Sequence, residues 1–155
     1  MQVETSAINA LNQSVALSLI AINPYFMHAK ILNYQGFGEL GHQMYKRSIA
    51  CMKECDRLSE RLLLLENTPD LQNLGSLKIG KSVPEMIACD LDLENRRITA
   101  FRKGIEACSS VRDFVSRDIL LSFLNTCEDY ADALETQQSL LAEMGLNNYL
   151  QSIAQ

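Results

Sequence analysis

Apolar residues recur along this chain at alternating intervals of three and four, in four long series, and that period is the signature of amphipathic helices. The first series is Ile8, Leu11, Val15, Ser18, Ile22, Tyr25, Ala29 and Leu32, and it predicts a helix from about Thr5 to Tyr34. Pro24 falls inside it, where it removes a hydrogen bond and crowds the carbonyl of Ile20, so a bend is expected. Gly36 and Gly38 mark a turn. The second series is Met44, Ser48, Cys51, Cys55, Leu58, Leu62 and Leu65, on a helix from about Leu40 to Glu66. A capping box, Ser82-Val83-Pro84-Glu85, opens the third helix, which carries Ile87, Leu91, Glu94, Ile98, Phe101, Ile105 and Cys108 and ends near Cys108. Ser110 is the expected cap of the fourth, whose stripe is Ile119, Phe123, Cys127, Tyr130, Leu134, Gln137, Leu141 and Met144. Gly145 stops it, and a short helix over about Asn147 to Ser152 follows.

The segment from Asn67 to Lys81 is too long for a tight turn. It holds Leu71, Leu74, Leu77 and Ile79, and is expected to lie along the bundle. A long crossover in the middle of a four-helix pattern predicts an all-α, ferritin-like bundle topology. The 155 residues make one expected domain, 1–155, with room for a core that needs no staples.

Each stripe has one misfit near its middle: Ser18, Cys51, Glu94 and Cys127. Glu54 and Tyr130 stand three residues beyond the two cysteines on the same faces. Helix midpoints in such a bundle meet at one level, so these residues are expected to cluster. Glu94 is the one charge in its stripe and needs a partner, with Tyr130 or Ser18 the expected hydrogen-bond donor. The cluster reads as a polar layer that fixes helix register, as a metal or redox site built from Glu54, Glu94 and the thiols, or as a place for water or a loosely held cation. Cys51 and Cys127 could face each other closely enough for a disulfide, whereas Cys51 and Cys55 read as small core residues. A second stripe on the same helix, Tyr45, Ile49 and Met52, lies about 100° away and is expected to face a ligand or a second molecule.

Composition narrows the classes. A net charge of −5 argues against nucleic acid as the partner. The sequence lacks an evident signal peptide and an unbroken apolar run of bilayer length, so a cytoplasmic, non-membrane protein is expected, with its five cysteines as free thiols. There is no nucleophile triad and no phosphate loop. His28 reads as a hydrogen-bonded structural residue and His42 as exposed, while Lys53, Asp56, Arg57, Glu60 and Arg61 read as solvated surface or subunit contacts.

The stretches Leu19 to Ile31 (LIAINPYFMHAKI), Asp56 to Gly80 (DRLSERLLLLENTPDLQNLGSLKIG), Met86 to Glu94 (MIACDLDLE), Val111 to Leu120 (VRDFVSRDIL) and Gly145 to Ser152 (GLNNYLQS) closely resemble bacterioferritin, the haem-containing branch of the ferritin family. The resemblance covers essentially the whole chain. It implies a 24-subunit shell of two-fold dimers holding a ferric iron mineral, with haem b shared between the two subunits of each dimer. The family's di-iron ferroxidase centre takes one Glu from each of two helices and a Glu-x-x-His pair from each of the other two. At the matching positions this chain has Ser18, Cys51 with Glu54, Glu94, and Cys127 with Tyr130, so one ligand of six survives in kind. Pro24 also departs from the family's pattern. The resemblance therefore implies a vestigial site with no competent ferroxidase centre. Met52 falls at the position of the family's haem-ligating methionine, with Leu19, Ile22, Asn23, Phe26 and Tyr45 as pocket walls.

The reading that follows is a haem-carrying subunit of a mixed-subunit cage. A homologous partner subunit would oxidise Fe(II), and a ferredoxin-like protein would deliver electrons for iron release. The alternatives are an active ferroxidase with an altered site using Glu94, Glu54, Glu128 and the cysteines, or a haem and thiol redox protein without a mineral core.

Overall fold

The computed structural model describes residues 5–69, 75 and 77–154. Among the described residues, five helices follow in order: α1 (Thr5–Tyr34), α2 (Gly38–Leu64), α3 (Val83–Ser110), α4 (Phe114–Met144) and α5 (Leu146–Ile153). The α1–α2 and α3–α4 hairpins pack through α1 against α3, and α5 folds back on α4. This is the ferritin-like four-helix bundle with a long crossover and a short C-terminal helix.

The 3-4 spacing that predicted the helices also predicts what they bury. Met44, Ser48, Cys51, Cys55, Leu58, Leu62 and Leu65 are all buried, and the outward stripe of α2 stays open, with Met52 52% exposed. α1 runs unbroken through Pro24. The buried apolar residues form two large lobes. One gathers Leu11, Leu58, Leu62, Phe101 and Leu120, and the other Leu32, Met44, Met86, Ile87 and Tyr149. A small central cluster of Ile20, Ala21, Tyr25, Cys51 and Leu93 lies apart from both.

Three helix ends close in the same way. The amides of Phe37, Asn67 and Asp113 return to the carbonyls of Leu32, Leu62 and Cys108 at 2.9 Å each. The residue before each of those amides has a positive φ: Gly36 at 90°, Glu66 at 63° and Arg112 at 60°. This geometry corrects the expected start of α4. Ser110 is the last residue of α3, and Val111 and Arg112 are consumed in closing that helix. The N-cap is Asp113, whose carboxylate accepts from the Ser116 amide at 3.1 Å. At α3 the capping box holds, with Ser82 Oγ accepting from the Glu85 amide at 3.3 Å, while Glu85 reaches back to the Lys81 amide at 2.8 Å.

Two surface expectations are also corrected. Arg61 is 7% exposed and donates to Ser116 Oγ at 2.9 Å and to Asp113 Oδ1 at 2.7 Å, tying the end of α2 to the start of α4. Leu77 and Ile79 remain exposed, while Leu71 and Leu74 lie outside the described residues. The crossover is held at its far end by hydrogen bonds. The Gly80 amide donates to His28 Nε2 at 2.9 Å, which leaves the ring proton on Nδ1 to be donated to Asp90 Oδ1 at 2.9 Å. Finally, α1 is long and apolar enough to cross a membrane by length and composition, because Ser, Asn and Ala interrupt its apolar runs without adding charge. Half of that stretch is buried inside the bundle, as suits a core helix.

Burial pushes the Asp90 carboxyl up to about 6, against the pull of His28. A folded-state pKa raised above its unfolded value adds stability below the unfolded value, about 3.8, and that share is lost as pH rises through 6. Asp90→Asn keeps an acceptor for His28 and removes the titration. Denaturant melts between pH 4 and 7 are expected to show a flatter stability profile for the variant, by about 2–3 kcal/mol across the range.

Candidate functional site

The two lobes are separated by a layer of buried charge. Glu94 on α3 is fully buried, and its partners are two arginines that the stripe pattern did not single out. Arg47 on α2 donates from Nε to Glu94 Oε2 at 3.1 Å and from Nη2 to both carboxylate oxygens, at 2.9 and 2.8 Å. Arg97, one turn beyond Glu94 and itself fully buried, donates from Nη1 to Glu94 Oε1 at 2.6 Å. The other terminal nitrogen of Arg97 is paired with Glu54 Oε2. Glu54 Oε1 lies 3.7 Å from Arg47 Nη1, within ion-pair range but too far for a hydrogen bond. The two arginines and two glutamates thus form a closed, formally neutral square. It joins α2 to α3, helices that are not close packing neighbours.

The six residues expected to cluster do so around this square. Ser18 Oγ donates to Glu54 Oε2 at 3.3 Å. Cys127 Sγ accepts from Arg47 Nη2 at 3.3 Å. The Tyr130 ring lies 5.0 Å from the Arg47 guanidinium and meets Tyr25 edge-on at 5.5 Å. Cys51 is buried within the electrostatic reach of both arginines and both glutamates. The donor expected for Glu94 is therefore corrected: Ser18 serves Glu54, Tyr130 packs on Arg47, and Glu94 takes its hydrogen bonds from the two guanidinium groups. A charged partner replaces a neutral one because a buried carboxylate is far better compensated by a cation than by a hydroxyl.

Burial sets the protonation states. It pushes Cys51 and Cys127 up to about 12, and the nearby guanidiniums pull them only part of the way back. Both are neutral thiols at physiological pH, and all five cysteines are free. Burial also raises Glu54, with Arg97 and Arg47 opposing. Burial disfavours the Arg47 cation, but Glu94 and the groups around it outweigh that cost and hold its pKa above the ordinary value.

The residues do not fit a di-iron centre. Both carboxylates are already engaged by fixed cations, the thiols are protonated, and neither imidazole ligand is present. A pair of iron ions needs free oxygen donors and imidazole, and here two guanidiniums fill the centre of the layer instead.

The outward face of α1 and α2 is different in kind. Phe26, Tyr45 and Met52 are exposed there, Asn23 is exposed, and Leu19 and Ile22 are half-buried. Ser48 Oγ donates to the Ile22 carbonyl at 3.1 Å and sets the two helices side by side. Lys30 Nζ lies 5.4 Å from the Phe26 ring and 5.7 Å from the Tyr45 ring. This apolar strip with an open thioether suits a flat apolar group that takes a soft axial ligand.

Removing one member of a buried ion network leaves an uncompensated charge. Arg97→Leu is expected to cost about 3–5 kcal/mol in urea unfolding. The same substitution at the exposed Arg57 is expected to stay within about 0.5 kcal/mol.

The chain matches the Ferritin-like domain family over residues 8–144. A bacterial ferritin from Pseudomonas aeruginosa is 40% identical over 153 residues, covering 98% of this chain and 99% of its own. A bacterioferritin from Streptomyces coelicolor is 33% identical over 153 residues, with 99% and 92% covered. One from Brucella melitensis is 34% identical over 149 residues, with 96% and 92% covered. With the family matched over most of its length and relatives 33–40% identical over nearly the whole of both chains, the chain belongs to the ferritin family, among the bacterioferritins.

Proposed function

We propose that this chain is a haem-carrying, ferroxidase-deficient subunit of an iron-storage cage, working beside a homologous subunit that oxidises Fe(II). The observation that carries the reading is the contrast between two faces of one helix. Inward, α2 presents Arg47, Cys51 and Glu54 to a layer where guanidiniums take the place of metal. Outward, it presents Met52 and Tyr45 to an open apolar strip. The iron-storage assignment itself follows from the family.

Met52 is the residue that would hold the haem iron, through a neutral thioether that needs no deprotonation. Two copies of the strip facing each other across a two-fold axis would let the Met52 of each subunit hold a shared haem b. Phe26, Tyr45, Leu19 and Ile22 would cover its faces, and Asn23 would stand at the rim. When bound, the haem supplies a one-electron relay between a reductant and the stored ferric mineral. The chain's own contribution would be to bury the group between subunits, exclude water and hold the Met52 sulfur in place. Self-association into two-fold dimers and a closed shell, a ferredoxin-like reductant and a cytoplasmic setting complete the reading.

Two measurements test it. Oxygen-dependent oxidation of Fe(II) by the purified chain assembled alone is expected to run no faster than in buffer, and a fast phase saturating at a fixed iron count per subunit would make the chain a ferroxidase. Met52→Leu is expected to abolish haem uptake, read from Soret absorbance per subunit, with the α-helical circular dichroism unchanged. Full haem retention in that variant would remove the ligand assignment.

A further inference from the structure

We infer that Arg47 and Arg97 are permanent internal cations that make this subunit's fold independent of metal and close its middle layer to divalent ions. The inference does not draw on the haem assignment, and haem content does not test it.

Charge is the first argument. Glu54 and Glu94 are buried in the middle of a core whose other members at that level are neutral: Ser18, Cys51, Cys127, Tyr25 and Tyr130. Two buried carboxylates need two positive charges. Arg47 and Arg97 supply them, each contacting both carboxylates.

Chemistry is the second. A lysine or histidine in the same place could surrender its proton and yield to an incoming metal ion. A guanidinium cannot be deprotonated in a protein, so a divalent cation entering the layer would meet two fixed positive charges. The Cys51 and Cys127 thiols at the same level are buried beside those charges, and Cys127 Sγ already accepts from Arg47 Nη2 at 3.3 Å.

Access is the third. A groove of about 510 Å³ opens between α2 and α4, lined by Gln43, Lys46, Thr126 and Asp129, with Arg47 and Tyr130 also in its wall. The stacked Arg47 and Tyr130 side chains stand between this groove and the carboxylates. Among the described residues, the buried polar atoms without a hydrogen-bond partner are Arg47 Nη1, Arg97 Nε, the Tyr25 hydroxyl and Asp90 Oδ2. Within the square itself the spare polar capacity is therefore on the donor side, which does not attract a cation.

Cobalt(II) is the probe, because thiolate coordination gives it an intense charge-transfer band that carboxylate coordination lacks. The wild-type chain is expected to show no such band on Co²⁺ titration and the same thermal midpoint in chelator as in Co²⁺. A thiolate band, or a midpoint that falls in chelator, would overturn the inference. Arg47→Leu/Arg97→Leu vacates the layer and leaves two carboxylates and two thiols converging on it. This variant is expected to melt lower than wild type and to gain both the band and a higher midpoint with Co²⁺. A variant that folds and ignores Co²⁺ would count against the exchange of cation for cation. If that variant does not fold, Arg47→Met/Arg97→Met/Glu54→Gln/Glu94→Gln decides. Removing both signs together is expected to melt well above Glu54→Gln/Glu94→Gln, which strands the arginines. Equal or lower stability of the fourfold variant would show that the charges do not compensate each other.

Discussion

The structure depends on four charges that must meet in the dark interior of the bundle. Taking two carboxylates and two guanidiniums out of water is expensive, and their attraction repays it only with close geometry. That requirement fixes the helices. Arg47 and Glu54 are two turns apart on α2, and Arg97 follows Glu94 by one turn on α3. Both crossings, Arg47 to Glu94 and Arg97 to Glu54, close together only when the two helices hold one axial register. The apolar lobes on either side would tolerate small slips, because methyl and methylene groups are interchangeable contacts. The ionic square would not. Its role is therefore alignment more than net stability, since a well-packed apolar replacement of such a network is often as stable.

The same helix separates two chemistries by rotation alone. Positions 47, 51 and 54 point into the bundle, and 45 and 52 lie on the exposed face of the same helix. Neutrality of the inner layer keeps its field from reaching the outer strip as a net charge. The Met52 side chain on that strip is a neutral thioether, and the aromatic rings of Phe26 and Tyr45 carry Lys30 as their near cation. Inside, every residue choice suppresses reactivity: the thiols stay protonated and the carboxylates stay paired.

Much of this was legible in the residues. The alternating 3-4 stripes located α1 to α4, and the misfits Ser18, Cys51, Glu94 and Cys127 marked the special layer. What the stripes could not show was who neutralised Glu94. Arg47 and Arg97 flank the buried positions by one residue, where a long cationic side chain ordinarily snorkels to solvent. Arg61 was missed for the same reason. A charge count across the layer would have been the signal: two buried carboxylates with no metal-ligand set require two cations within one helical turn. Ser110 failed as a cap because a positive φ at a non-glycine, Arg112, carries no mark in the sequence. The His28–Asp90 contact joins α1 to α3 across 62 positions, beyond any local pattern.

The substitutions in the layer make sense as one set and not singly. Replacing Cys51 or Cys127 by a carboxylate would leave the square with more negative charge than its two guanidiniums balance. Replacing Glu54 by a neutral imidazole would strand Arg97 with half a partner. Removing either arginine would leave a carboxylate in the core without the cation it faces. Thiols suit the two cysteine positions beside the square because they are small, apolar enough to be buried unpaired, and able, as Cys127 does, to accept a weak hydrogen bond from a guanidinium. Neutrality is thus the rule that selects each residue here, and a layer chosen by that rule has both of its carboxylates already taken by fixed cations.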